Sequence, residues 1–266
     1  MNTIYHCFPG GKHKALTFSY DDGKIFDRRL VEIFNRNGLK GTFNLNSGIM
    51  SCDENRIQPQ EVKALYEGHE VACHTYTHPT IARCPASGVV QQVLTDRQLL
   101  EDMGGYPVEG LAYPNGSYSP EIMALLPFAG IKYARTVTST MGFQMPHNYM
   151  EWDPTCHHKR DLLALGEQFK GLYKTQYLYL MYVWGHSYEF DIDGNWQLIE
   201  DFCDGIGGKD DIWYATNIDI VRDEQAFQRL VFTSDLKYVY NPSFQSVWLS
   251  VNNEIIEAKG GAYTAL

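Results

Sequence analysis

Residues 15–23, Ala-Leu-Thr-Phe-Ser-Tyr-Asp-Asp-Gly, place two adjacent carboxylates and a glycine directly after a short apolar segment. Residues 15–19 have the composition of a β-strand, and residues 27–35 follow with Leu30, Ile33 and Phe34 on one face of a helix. Gly38 is a typical residue for the end of that helix. This stretch therefore predicts a strand that leads into a helix, with polar residues at the junction.

The same alternation of strand and helix continues to about residue 215. Further strands are predicted at residues 42–46, 70–73, 110–113, 131–134, 177–184 and 212–215, and helices at residues 61–67, 89–103, 122–126, 162–169 and 196–203. Strands that alternate with helices are parallel and are joined by right-handed crossovers. About seven such strands favour a closed α/β barrel, although an open doubly wound sheet fits the same pattern.

The pattern changes after about residue 222. Short strands are predicted at residues 231–233, 238–240, 247–251 and 254–257, with Asn-Pro and Asn-Asn turns between them. We therefore predict an α/β barrel over residues 1–221 and a small β-rich appendage over residues 222–266.

Composition and charge exclude several classes of protein. The 266 residues are 44% hydrophobic and carry a formal net charge of −10, which argues against nucleic acid or an anionic membrane as a partner. No apolar run is long enough to span a membrane, and residues 1–10 show no secretory signal. The six cysteines form no CxxC pair, so we expect free thiols and a cytoplasmic protein. The oligomeric state is left open.

Polar clusters follow several of the predicted strands. They are Asp21-Asp22-Gly23, His74 to His78, Tyr113 to Gly116, Arg135-Thr136 and Gly185-His186-Ser187. In a parallel barrel the reactive groups gather in loops at the carboxyl ends of the strands. We therefore expect these clusters to meet at one end of the barrel.

Asp22, His74 and His78 are candidate metal ligands. Histidines four residues apart can point to one side of a helical turn, and two imidazoles with one carboxylate leave positions open, as in catalytic metal sites. Each motif alone also has a simpler interpretation, because adjacent aspartates are common in solvated turns and paired histidines are often incidental. With a metal that activates water, His186 would be the general acid, or otherwise a histidine at the edge of the core.

Four segments together resemble a known family. Ser19-Tyr20-Asp21-Asp22-Gly23 is similar to the TFDDG motif of the polysaccharide deacetylases, which are carbohydrate esterase family 4 with the NodB homology domain. His74-Thr75-Tyr76-Thr77-His78 matches that family's H-[ST]-x-x-H motif, and Pro79 follows. Ala112-Tyr113-Pro114-Asn115 takes the place of the R-x-P-Y motif, and Trp184-Gly185-His186 that of the L-x-H motif. The resemblance covers about residues 12–220.

The resemblance implies a distorted (β/α)7 barrel and a hydrolase that removes N-acetyl, or alternatively O-acetyl, groups from a carbohydrate. It also implies one divalent ion, zinc first, with cobalt, nickel or manganese as alternatives, held by Asp22, His74 and His78. Asp21 would be the base, His186 the acid, and the backbone N–H of Asn115 a donor to the oxyanion, a role that needs only an amide.

The chain departs from the family at two positions. Ala112 replaces the arginine that orients the catalytic aspartate, and Trp184 replaces a leucine. We predict that Arg135 takes over the contact with Asp21, the alternative being an arginine on the surface. The departures keep two rival functions open, which are hydrolysis of a non-sugar amide and a catalytically silent protein that binds metal and carbohydrate.

Other polar segments compete with this site. Cys156-His157-His158 could ligate a metal, but adjacent histidines point in divergent directions and the sequence shows no partner, so the interpretation favoured is a surface loop. Tyr188 to Asp191 and Trp152-Asp153 could line the cleft, and Asp153 could orient His186.

Overall fold

Residues 15–21 lie in the central strand of a parallel sheet. The computed structural model describes residues 2–266, so Met1, where the predicted barrel begins, lies outside the described residues. In chain order the strands are β1 (Ile4–Cys7), β2 (Lys14–Asp21), β3 (Thr42–Leu45), β4 (Glu70–Cys73), β5 (Gly110–Ala112), β6 (Tyr133–Arg135), β7 (Cys156–His157), β8 (Tyr179–Gly185), β9 (Ile212–Tyr214), β10 (Val231–Phe232), β11 (Tyr238–Tyr240), β12 (Val247–Val251), β13 (Glu254–Ala258) and β14 (Tyr263–Ala265).

The helices lie between the strands and pack on them. They are α1 (Asp27–Arg36), α2 (Val62–Leu65), α3 (Ala86–Gly104), α4 (Pro120–Leu125), α5 (Leu162–Lys170), α6 (Tyr188–Ile192), α7 (Trp196–Ile206) and α8 (Asn217–Gln228). Short 3-10 helices occur at Met50–Cys52, Pro59–Glu61, Ile81–Arg83, Pro114–Gly116, Leu126–Ala129 and Tyr149–Glu151. Among the helices of residues 2–266, none combines the length and the apolar character that crossing a membrane requires.

Local sequence explains several of these boundaries. The apolar face predicted for α1 is buried at Leu30, Ile33 and Phe34. The Ser119 side chain caps α4 by accepting a hydrogen bond from the backbone N–H of Ile122. Gly105 ends α3 with a φ of 80°, a left-handed conformation in which glycine has no steric penalty.

The parallel sheet curls into a distorted barrel. Its strand order is β6-β5-β4-β3-β2-β8-β7, and β9 pairs with the first half of β2. Residues 152–158 close the ring, because Trp152 exchanges backbone hydrogen bonds with β6 while β7 pairs with β8. The predicted distorted barrel is therefore confirmed. All eight residues of β2 are buried, although the apolar Leu16, Phe18 and Tyr20 alternate with the polar Thr17, Ser19 and Asp21.

The C-terminal strands form two small antiparallel sheets, β1-β12-β13 and β10-β11-β14. Strand β1 comes from the other end of the chain and has no counterpart among the predicted strands. The core of this β module, buried around Val247, Leu249 and Val251, also includes Ala226 of α8. The division at residue 222 stays a prediction, and in the structure α8 runs through that position.

Candidate active site

Asp21 is the last residue of β2, and two side chains hold its carboxylate. The Asn44 side chain donates to Oδ1 at 2.8 Å from β3, where Asn44 is the register partner of Asp21. The Arg135 guanidinium donates to Oδ2 from β6. Asp21 is only 2% exposed, so this carboxylate is fixed in a site that is nearly closed to water.

Arg135 is directly opposite Ala112 in the register of β5 and β6. Register partners on adjacent strands project to the same face of a sheet, so an arginine at either position points toward the same region. Arg135 is fully buried, and its guanidinium carbon lies 4.4 Å from the centre of the Trp184 ring. A guanidinium stacks well on an indole. The two departures from the family motifs, Ala112 and Trp184, thus meet at one side chain, and the expected contact between Arg135 and Asp21 is present.

The surroundings of Asp21 favour its ionised form. Burial alone would raise the pKa of this carboxyl, but neighbouring positive charge, that of Arg135 first, outweighs burial and makes the pKa lower than usual. A base with a lowered pKa is ionised at neutral pH and ready to accept a proton.

Asp22, His74 and His78 converge beside Asp21. The Nε2 atoms of His74 and His78 are 3.1 Å apart, and His78 Nε2 is 3.9 Å from Asp22 Oδ1. His74 Nδ1 lies 2.8 Å from the carbonyl oxygen of Ala112. A carbonyl only accepts hydrogen bonds, so Nδ1 carries the proton and Nε2 directs a lone pair into the cluster. Two neutral imidazoles and a carboxylate fit a divalent ion such as zinc.

The backbone at these ligands is unusual. Asp22 and His78 have φ values of 78° and 60°, in the left-handed region that residues other than glycine seldom adopt. The Arg56 guanidinium donates to the Asp22 carbonyl and helps to hold this turn. Residues in such conformations cluster at functional sites, where the surrounding structure enforces them.

Asp96 anchors the histidine loop from α3. Its carboxylate accepts hydrogen bonds from the backbone N–H of His74 at 3.0 Å and from the backbone and hydroxyl of Ser47 at 2.8 and 2.6 Å. Burial raises the pKa of Asp96 to about 7, against the opposing effect of these hydrogen bonds. Asp96 therefore fixes where the loop that carries His74 begins.

His186 follows β8, and its Nδ1 is 3.2 Å from Glu189 Oε2. Burial would lower the pKa of His186, but Glu189 together with Asp21 and Asp22 raises it above the usual value. A histidine that stays protonated near neutral pH can donate a proton to a leaving group. The carboxylate that contacts His186 is therefore that of Glu189 and not that of Asp153. The Asp153 carboxylate instead accepts a hydrogen bond from the Thr136 hydroxyl. The expected orienting role of Asp153 is therefore wrong.

Asn115 lies in the exposed loop after β5 and has a φ of 56°. Its side chain donates to the Thr80 hydroxyl at 3.3 Å. Asparagine tolerates the left-handed conformation better than most residues, which accounts for its presence at this position.

The prediction of a surface loop at Cys156-His157-His158 is wrong. Cys156 and His157 form strand β7, and His158 is completely buried. Burial lowers the pKa of His158 to about 3, so its ring is neutral. The error arose because the sequence shows no partner for these residues, whereas in the structure the segment closes the barrel and lies beside Glu189.

Asn44 and Asp96 are site residues that the sequence analysis did not identify. Asn44 could have been found from its place at the end of a strand that neighbours the one ending in Asp21. Asp96 is an isolated acid on the buried face of a helix, which is a recognisable signal. From the sequence, Glu189 was expected only to line the cleft, and its contact with His186 was not predicted.

Known proteins are similar to this chain in sequence and in fold. The polysaccharide deacetylase family model matches residues 9–134. A peptidoglycan-N-acetylglucosamine deacetylase of Bacillus cereus is 28% identical over 116 residues, which cover 42% of this chain and 40% of that protein. The matched segments span between 21% and 60% of the length of the curated relatives.

Two solved structures show the same architecture. A Mycobacterium smegmatis protein assigned as a polysaccharide deacetylase superposes with a TM-score of 0.63 at 16% identity, covering 83% of this chain and 93% of the other. A CE4 family pseudoenzyme from Bacillus anthracis gives a TM-score of 0.52 at 15% identity, covering 82% and 68%. At such identities the likeness concerns the fold.

Proposed function

Because residues 9–134 belong to the polysaccharide deacetylase family, we propose that the chain is a metal-dependent hydrolase that removes N-acetyl groups from a carbohydrate. The observation that carries the proposal is the geometry around Asp21. Its carboxylate is held by Asn44 and Arg135 and has Oδ2 3.8 Å from Nε2 of His74, which belongs to the candidate metal cluster.

The roles of the residues follow from their protonation states and positions. An ion bound by Asp22, His74 and His78 would polarise the acetamide carbonyl and increase the acidity of water. Asp21 takes the proton from the attacking water, because Arg135 keeps this carboxylate ionised. The backbone N–H of Asn115 donates to the oxyanion as it develops. His186, kept protonated by Glu189, gives its proton to the departing amine nitrogen.

The contact of Arg135 with Asp21 helps to choose between an active enzyme and the alternative of a catalytically silent binding protein. That rival rests on the loss of the family arginine at position 112. In this chain a buried guanidinium from the paired position, Arg135, contacts the same carboxylate, so the base keeps an orienting cation. This contact favours an active enzyme.

Acetate release from N-acetylglucosamine oligomers tests the proposal. We expect release by the zinc-reconstituted protein, loss with a chelator, and recovery when zinc is returned. Asp21→Asn should retain the metal and lose at least about 10²-fold in turnover, because it removes the base. An O-acetylated xylan assayed in parallel distinguishes esters from amides as substrates. Wild-type turnover by metal-loaded Asp21→Asn would contradict the role of Asp21.

A further inference from the structure

One carboxylate oxygen outside the first cluster is surrounded by three imidazoles. Glu189 Oε2 lies 3.1 Å from His157 Nε2, 3.5 Å from His158 Nε2 and 3.2 Å from His186 Nδ1. His157 and His158 come from β7 and the residue after it, whereas Glu189 is on α6. The barrel closure thus brings together ligand types that the sequence separates by about 30 residues.

The spacing of these atoms is that of ligands around a metal. Zinc binds nitrogen and oxygen at roughly 2.0–2.1 Å in tetrahedral geometry, so two of its ligands are about 3.3 Å apart. The distances from Glu189 Oε2 to His157 and His158, 3.1 and 3.5 Å, fall on either side of that value. The candidate ligand atoms of His157, His158 and Glu189 all lie within 4.8 Å of one another.

His158 supplies an independent indication of a ligand. Its side chain is 0% exposed, and neither ring nitrogen has a hydrogen-bond partner among residues 2–266. The ring stacks on Phe190 at 4.1 Å and on Tyr20 at 5.8 Å, and a Cβ at Gly185 would clash with it. The ring is therefore held in place with Nε2 facing Glu189. Burying a polar group without a partner is unfavourable, so this arrangement needs an explanation.

Glu189 Oε2 faces imidazole and amide groups, including the backbone N–H of His186, which donates to it at 3.1 Å, whereas Lys159 faces the other oxygen. Lys159 lies 3.4 Å from the other oxygen, Oε1, and makes a closer ion pair of 2.7 Å with Asp193. The side chains of His157 and Glu189 are 16% and 18% exposed, so an ion can reach them from solvent.

We propose that His157, His158 and Glu189 form a second site for a divalent ion of the zinc class. The site shares none of its three ligands with the cluster of Asp22, His74 and His78. The same Glu189 oxygen lies 3.2 Å from Nδ1 of His186, the proposed general acid. The proposal stands apart from the deacetylase activity, since it concerns binding of the metal alone.

Metal content measured by mass spectrometry tests this site. The 266-residue protein is stripped with chelator, loaded with a small excess of Zn²⁺ over two equivalents, and desalted. We expect two ions per chain in the wild type, one in His157→Ala, one in His78→Ala and none in the double variant. Both variants alter partly exposed side chains, and circular dichroism verifies that they fold.

His147→Ala is the matched control, because His147 is exposed and belongs to neither cluster. It should retain two ions. Glu189→Gln, which keeps the size of the side chain, should lose one ion as His157→Ala does. A single ion in the wild type that His157→Ala and Glu189→Gln both retain would overturn the proposal and leave an ion-pair cluster only.

Discussion

Arg135 contacts Asp21 from the strand next to the one that carries Ala112. Positions 112 and 135 are register partners, so the guanidinium enters the same part of the barrel from β6 instead of β5. The side chain is wholly buried between the Asp21 carboxylate and the Trp184 ring. A buried pair of this kind is costly to break, because the remaining charge stays desolvated.

Removal of this guanidinium should affect turnover more than substrate binding. In Arg135→Met the Asp21 carboxylate loses its cation, and we expect kcat to fall about 10²-fold from misorientation of the base, with a small change in KM. Stability should fall by about 3–5 kcal/mol. Steady-state kinetics and urea denaturation measure the two effects.

The double variant that combines Ala112→Arg with Arg135→Ala should be compared with Arg135→Met. It returns the arginine to the family position on the same face of the sheet, so part of the lost kcat should come back. If Arg135→Met left kcat unchanged, Arg135 would have only a structural role.

The Asn115 backbone amide gives a second prediction at this scale. Asn115→Gly keeps the N–H and suits the φ of 56°, so turnover should stay within a few-fold of the wild type. Asn115→Ala also keeps the N–H but forces a Cβ into the left-handed region, which costs roughly 1–2 kcal/mol. Thermal unfolding and acetate release separate the two effects, and a large loss of kcat in Asn115→Gly would show that the side chain itself is needed.

At the scale of elements, β1 is attached to α8 through His6. The His6 ring stacks on Phe227 at 4.2 Å, and its nitrogens lie 3.0 Å from Asp223 and 3.5 Å from Glu224. Burial alone would lower the pKa of His6, but the two carboxylates raise it to about 8. Burial also raises the pKa of Asp223, although the contact with His6 acts in the opposite direction.

This contact should make stability depend on pH. The folded pKa of His6 is above its ordinary value of 6.5, so the stabilisation is complete below pH 6.5 and is lost as the pH rises through about 8. A shift of this size corresponds to about 2 kcal/mol. Urea denaturation between pH 6 and 9 should show this loss in the wild type and not in His6→Gln. Parallel curves for the two proteins would exclude His6 as the cause.

At the scale of the whole molecule, the two ends of the chain build one β module. Strand β1 pairs with β12, and the core of the module includes Ala226 of α8. Helix α8 is therefore packed between the barrel and the module, with Ile220 and Val221 buried among barrel residues. The predicted boundary at residue 222 falls within this helix.

Truncation tests how far the module supports the barrel. A chain ending at residue 229 keeps α8 but exposes Ala226 and leaves β1 without its partner, so we expect a lower urea midpoint with the first metal site retained. A chain ending at residue 221 also cuts α8 and should be less stable still. If the chain ending at residue 221 matched the full chain in urea, the boundary at residue 222 would be supported.

The sequence by itself indicated the alternation of strands and helices and the candidate metal ligands, and it favoured a barrel without deciding between a barrel and an open sheet. These features have local signatures: helical spacing in residues 27–35, a motif of five residues at His74 to His78, and carboxylates directly after a strand. The family resemblance added the expected roles of Asp21, His186 and Asn115. Strand β1 was missed because its four residues have little local pattern, and its partner lies at the other end of the chain.

Only the tertiary structure decided which distant side chains meet. Arg135 reaches Asp21 across 114 positions of sequence, and the choice between that contact and a surface position depended on the register of β5 and β6. The burial of His158 and its approach to Glu189 depended on how residues 152–158 close the barrel. Local periodicity reports the face on which a residue lies, whereas register and closure are set by packing between elements that are remote in sequence.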